Sequence, residues 1–247
     1  MKKLLTTLAL TGVLASTMLA EIESSVDSSK EWGFCQGKHS NTGCFVGLSV
    51  GFSPATTRLD FQTNGTTFIK QPKKESFSFP IAFDLGYQWY FAQNSGLRFK
   101  GYIGYENYSA KDMEVVESNG NDRAGAELAS HALQYGLEAR YLYDFIYGGE
   151  HTFGANIGFG VEGSSFFNTA TLFGGGASRS NAYTRVAWTS GIGLHYFYHS
   201  HHQILLSYLY RGYTDELKGG GLISDTVYVR ISAFARHTIQ LSYAYKF

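Results

Sequence analysis

From Ser76 to Phe91 the odd positions read Phe77, Phe79, Ile81, Phe83, Leu85, Tyr87, Trp89 and Phe91, while Ser78, Asp84, Gly86 and Gln88 fall between them. A side-chain period of two belongs to a β-strand with one apolar and one polar face. Seven further segments carry the same alternation: Cys44 to Phe52, Leu97 to Tyr105, Leu133 to Phe145, Phe153 to Val161, Val186 to Tyr198, Ile204 to Tyr210, and Val227 to Phe247. Outside the first twenty residues no apolar run approaches the roughly 20 residues that a membrane helix needs. A mature chain that crosses a bilayer must therefore do so as a closed barrel, where every backbone polar group finds a partner.

The connections alternate in length. Ala92 to Gly96, Tyr147 to His151 and His199 to His202 are short, and Ser53 to Glu75, Ala110 to Leu128, Gly163 to Ser180 and Gly212 to Ser224 are long. Eight strands joined in this rhythm predict an all-β fold, an eight-stranded antiparallel up-and-down transmembrane β-barrel with short periplasmic turns and four extracellular loops. Pro80 interrupts the second strand, and because proline donates nothing to a ladder, a bulge or a loss of pairing is expected there.

Alternation does not say which face meets lipid, so the charges decide. Asp84, Arg98, Lys100, Glu106, Glu138, Arg140, Asp144, Glu162, Arg185, Arg211, Arg230, Arg236 and Lys246 all take the parity opposite to the apolar face of their strand. A soluble barrel with charges outside would show the same parity. Two features oppose that alternative. The polar face is rich in glycine, as at Gly86, Gly136, Gly158 and Gly193, which suits a narrow lumen better than a solvent face. Aromatic residues also cluster beside the short turns, as in Tyr141, Tyr143 and Phe145, like an interfacial girdle. Charged residues are only 16% of the chain and aromatic residues also 16%, as expected where lipid replaces water over much of the surface.

Residues 1–20 read as an export signal, with Lys2 and Lys3 before the apolar stretch Leu4 to Leu14 and small residues leading to Ala20. Residues 21–43 then form a periplasmic segment and 44–247 the barrel. Removing residues 1–20 takes away two of the 20 basic residues and none of the 20 acidic ones, so the mature net charge is about −2 and nucleic acid is not an expected partner. Cys35 and Cys44 are the only cysteines, and in an oxidising compartment a disulfide between them is the default.

The ending Ile239, Leu241, Tyr243, Tyr245, Phe247 resembles the C-terminal signature of bacterial outer-membrane barrels. With its lysine-led signal, aromatic-rich strands and final Tyr-Ala-Tyr-Lys-Phe, the chain resembles the Helicobacter outer membrane protein family over about Cys44 to Phe247. The resemblance implies the outer membrane of a Gram-negative bacterium. It also implies that Tyr243, Tyr245 and Phe247 form the signal that the barrel-assembly machinery recognises.

Possible chemistry is sparse. Gly158, Gly160 and Gly163 spell GxGxxG, but inside an alternating strand with no helix after it, so they suit a lumen wall rather than a dinucleotide. His195, His199, His201 and His202 form a tract that suits a polar turn better than a metal site. His131 with Glu127 lacks a positioned nucleophile, so neither a catalytic set nor a cofactor site is expected. Inside a narrow barrel Asp84, Arg98, Lys100, Glu138, Arg140, Glu162, Arg185 and Arg230 are expected to interlock as a lumen charge network, because an unpaired buried charge is costly. The expected function is a structural or interaction barrel in outer-membrane lipid, whose loops meet a host or surface ligand. A small porin-like channel and a lipid-modifying enzyme are the alternatives.

Overall fold

The computed structural model describes residues 35, 40–63, 66–67, 73–116, 123–172, 178–214, 220–224 and 227–247, with side chains described for these except within 58–73, 112–126, 168–181 and 215–232. Every regular element among them is a strand, apart from a short helical turn at Cys35. The strands are β1 (Gly43–Thr63), β2 (Thr66–Thr67), β3 (Lys73–Ser78), β4 (Ile81–Ala92), β5 (Ser95–Val116), β6 (Arg123–Ile146), β7 (His151–Leu172), β8 (Ser178–Tyr198), β9 (His202–Tyr213), β10 (Gly220–Ser224), β11 (Val227–Ala235) and β12 (His237–Lys246). Each neighbouring pair is antiparallel, and β1 pairs with both β4 and β12, which closes the sheet into a ring. In that ring β3 and β4 act as one strand, as do β11 and β12, so eight strands surround the lumen.

The outward face is the apolar one. Leu85, Leu137, Phe159, Val161, Ile192 and Ile239 are all more than half exposed, whereas Asp84, Glu106, Glu138, Glu162, Arg98, Arg140 and Arg211 are buried. Hydrocarbon outside and ionised groups inside is the arrangement a membrane barrel needs, because a charge facing lipid has no solvent.

Ladders run beyond the apolar segments. Much of the expected extracellular loop Ala110 to Leu128 is paired strand, with Ala110 opposite Leu128 and Val116 opposite Arg123. Likewise Asn168 opposes Asn181 and Thr171 opposes Ser178 where the loop Gly163 to Ser180 was expected. The outer hairpins are continuations of the barrel wall. The clean apolar alternation of the sequence ends there, while the backbone ladder continues.

Pro80 causes loss of pairing without a register shift. Val50 opposes Ile81 and Ser53 opposes Ser78, equal steps on both strands, and the Gly51 amide still donates to the Pro80 carbonyl at 2.8 Å. Between β12 and β11 the register does shift. Phe52 opposes Ile239 but Ala55 opposes Ala235, three steps against four, so one extra residue is accommodated near Arg236. This shift inverts the parity expected for the last strand: Ala233 and Ala235 are buried, and Arg236 is exposed beside the Phe234 ring at 5.5 Å.

At the end of the barrel with the short turns, β6 and β7 join through Gly148 and Gly149, whose φ of 89° and 99° suit glycine. Cys35 is disulfide-bonded to Cys44 at the start of β1, and Phe247 donates its amide to the Cys44 carbonyl at 2.9 Å. Buried Asn41 and Thr42 continue beside β4, where the Asn41 backbone carbonyl accepts from Gln88 Nε2 at 2.8 Å and Thr42 Oγ1 from the Tyr90 amide at 2.9 Å.

Candidate functional site

The lumen is the concentration of polar chemistry, and it is layered. Towards the short-turn end, Tyr90, Leu142, Phe197 and Leu205 form a buried apolar layer. Asp144 lies against it, accepting from the Tyr90 hydroxyl at 2.9 Å and meeting His195 Nε2 at 2.7 Å. Just above, Arg98 donates to the side-chain carbonyls of Gln88, at 2.9 Å, and Gln203, and its guanidinium covers the Phe45 ring at 3.5 Å. Its contacts are thus amide oxygens and a π face, a neutral cradle for a buried cation.

The middle layer is ionic. Lys100 Nζ stands 3.7 Å from Asp84 and 3.7 Å from Glu138. Arg140 grips Glu138 with two nitrogens, Nε at 2.5 Å and Nη2 at 3.1 Å, and also donates to Asn156 on the adjacent β7 at 2.5 Å and to Ser207 on β9 at 3.0 Å. Ser49 donates to Asp84 from the closing strand. One layer higher, Arg211 stands between two carboxylates, 3.0 Å from Glu162 and 3.8 Å from Glu106. Tyr102 donates to Glu162 at 2.8 Å, and Ser78 and Gln134 each donate to Glu106 at 2.5 Å. Paired charges whose remaining lone pairs also meet donors can tolerate burial.

A second apolar layer closes the outer end, formed by Ala55, Tyr108, Ala132, Phe166, Ala233 and Ala235, with Tyr183 packed against it. Arg185 belongs to this level. Its guanidinium stacks over Tyr213 at 4.1 Å, and Nη1 faces the Ala233 carbonyl at 3.5 Å.

The structure therefore brings together Asp84, Lys100, Glu138 and Arg140 in one cluster, places Arg98 below it and Glu162 above it, and sets Arg185 among aromatic rings at the rim. The side chain of Arg230 lies outside the described residues; its backbone opposes Asp60 on β1. Arg211 and Glu106, inward by parity but not among the residues expected to interlock, share the network as well. Their pairing depends on which strands face each other across the closed ring.

The histidine tract divides between strand and turn. His195 is buried in the lumen, while His199, His201 and His202 lie at the periplasmic turn, where His202 Nδ1 is 2.7 Å from the Tyr243 hydroxyl and His199 is 3.1 Å from Glu150. Among the described residues no group of three or more His, Cys, Asp and Glu is arranged to hold a metal ion. His131, on the outer wall, bonds the Tyr105 hydroxyl at 2.5 Å. On β12, Tyr243 opposes Leu48, Tyr245 opposes Val46, and the Phe247 ring is exposed at the periplasmic edge.

The family model described as Helicobacter outer membrane protein matches residues 82–247, about two thirds of the chain, from β4 to the final residue. The chain belongs to the Helicobacter outer membrane protein family. No curated protein matches it. Similar solved structures include Ail of Yersinia pestis in complex with the heparin analogue sucrose octasulfate, at 15% identity over 83% of this chain and 99% of that one, TM-score 0.35. OprG of Pseudomonas aeruginosa is similar at 15% identity over 83% and 96%, TM-score 0.46, and the protease OmpT of Escherichia coli at 8% over 83% and 96%, TM-score 0.48. This Helicobacter-family barrel resides in the Gram-negative outer membrane. Its lumen is a packed interior built from polar residues.

Proposed function

We propose that this family member is a closed barrel whose outer hairpins carry recognition of a host or surface ligand, and that its lumen neither conducts nor catalyses. One observation carries this reading: apolar layers at both ends of the lumen enclose an ion-paired middle, so the interior is committed to holding the wall rigid. A rigid scaffold displaying variable ends is a common division of labour. Against an enzyme, the buried His195–Asp144 contact is engaged with the Tyr90 hydroxyl beside the periplasmic layer, far from the outer leaflet. The reading includes residues 1–20 as a cleaved signal, residues 21–43 as a periplasmic segment, and Tyr243, Tyr245 and Phe247 as the assembly signal, supported by their place on the closing strand. Reconstitution in planar bilayers tests the central claim. No stable single-channel steps are expected, and reproducible conductance would replace this reading with a porin-like one. An altered lipid profile in cells expressing the protein would favour the enzyme.

A further inference from the structure

In the lower ring every strand is laddered to a neighbour on each side, but above it the ladders fall into two groups. The β4–β5 ladder ends where Ile81 opposes Tyr105, and the β8–β9 ladder where Ala187 opposes Tyr213. Beyond those points β10, β11, β1 and β3 form one sheet, and β5, β6, β7 and β8 form another. Among the described residues no ladder joins β3 to β5 or β10 to β8. The outer wall is therefore two four-stranded sheets standing on one closed ring, with a seam on either side.

Side chains cross both seams. The Gly51 amide donates to the Pro80 carbonyl, so the main chain of Pro80 faces β1 and, by alternation, that of Ile81 faces β5. Because Ile81 opposes Tyr105, the same alternation turns the main-chain groups of Asn107, Ser109 and Lys111 toward β3. There Lys74 Nζ donates to the Lys111 carbonyl, and Ser78 Oγ donates to Glu106 at 2.5 Å. Ser78 and Glu106 are fully buried, so this seam leads straight to the Arg211 layer. At the other seam Thr214 donates its amide and hydroxyl to the Val186 carbonyl at 3.3 and 3.1 Å, and the Tyr183 hydroxyl accepts from the Ala233 amide at 3.4 Å. The outer apolar layer is itself the contact between the sheets, since Tyr108, Ala132 and Phe166 come from one and Ala55, Ala233 and Ala235 from the other. A few side-chain bonds and a small apolar contact open more readily than a continuous ladder.

We propose that the outer end is a two-jawed mouth, whose sheets part along these seams on the closed ring and uncover the Glu106–Arg211 layer from outside. The opening stops at the ionic cluster of Lys100, Glu138 and Arg140, so it leaves the lumen closed to ions and does not depend on what the hairpins recognise. The test uses the full chain in lipid nanodiscs. In the wild type, amide exchange followed by NMR should be on the order of tenfold faster at Asn107 and Ser109, which face the seam, than at Glu106 and Tyr108, which face β6. A membrane-impermeant maleimide should label Ser78→Cys roughly tenfold faster than Ser49→Cys, an equally buried position within the closed ring. Adding Lys74→Ala, which removes the grip on Lys111, should speed the labelling of Ser78→Cys further. A heat-modifiability gel establishes folding, and Ser53→Cys, buried opposite Ser78, replaces Ser78→Cys if that variant does not fold. Uniform protection from Glu106 to Ser109, labelling no faster than at Ser49→Cys, or labelling indifferent to Lys74→Ala would each overturn the proposal.

Discussion

Arg211 shows how one side chain can hold the interior together, since it separates the carboxylates of Glu106 and Glu162 and also donates to Thr238 Oγ1 at 2.7 Å. Arg211→Met leaves two buried acids facing each other. A loss of about 3 to 5 kcal/mol is expected, measured as a lower urea midpoint in detergent or lipid vesicles. Adding Glu162→Gln should recover part of that loss, because it removes one of the stranded charges. Gly136 tests space instead of charge. A Cβ there would lie 2.6 Å from both Tyr102 Cζ and the Val161 carbonyl oxygen, so Gly136→Ala should sharply reduce the yield of heat-modifiable barrel. Gly101→Ala should leave it unchanged or improve it, since its Cβ meets only ordinary contact.

At the level of strands, two devices set how the ring closes. The Cys35–Cys44 bridge joins residues only nine apart and ties the preceding turn to the seam where Phe247 meets Cys44. Replacing both cysteines with serine should cost about 2 to 3 kcal/mol by the loop-entropy estimate, read from the urea midpoint under oxidising conditions. The extra residue near Arg236 lets β11 and β12 follow the same partner while showing it opposite parities. Deleting Arg236 should remove the extra residue and leave Ala235 opposite Ala55 and Ala233 opposite Thr57, so the outer apolar layer should survive. Unchanged proteolysis of residues 227–235 in folded protein is the expected result, and faster cleavage would assign the parity change to another cause.

The closed ring as a whole is expected to migrate differently on a gel before and after boiling, because intact barrels resist detergent unfolding; identical mobility would contradict the closure of β1 onto β12. Much of this architecture was legible in the amino acids. Strand positions, the short periplasmic turns and the outward apolar face follow from local alternation, which the bilayer enforces residue by residue because every lipid-facing side chain meets the same solvent. Proximity also made the Cys35–Cys44 pair legible. Three features were not: the ladders past the lipid, the inverted parity beyond Arg236, and the partners of each lumen charge. Pairing above the membrane is held by backbone hydrogen bonds that leave no hydrophobic pattern, and a one-residue shift becomes visible only beside the neighbouring strand. Parity could send Glu138, Arg140, Glu162 and Arg211 inward, but only closure of the ring sets the shear between strands, and with it the height at which each charge meets another.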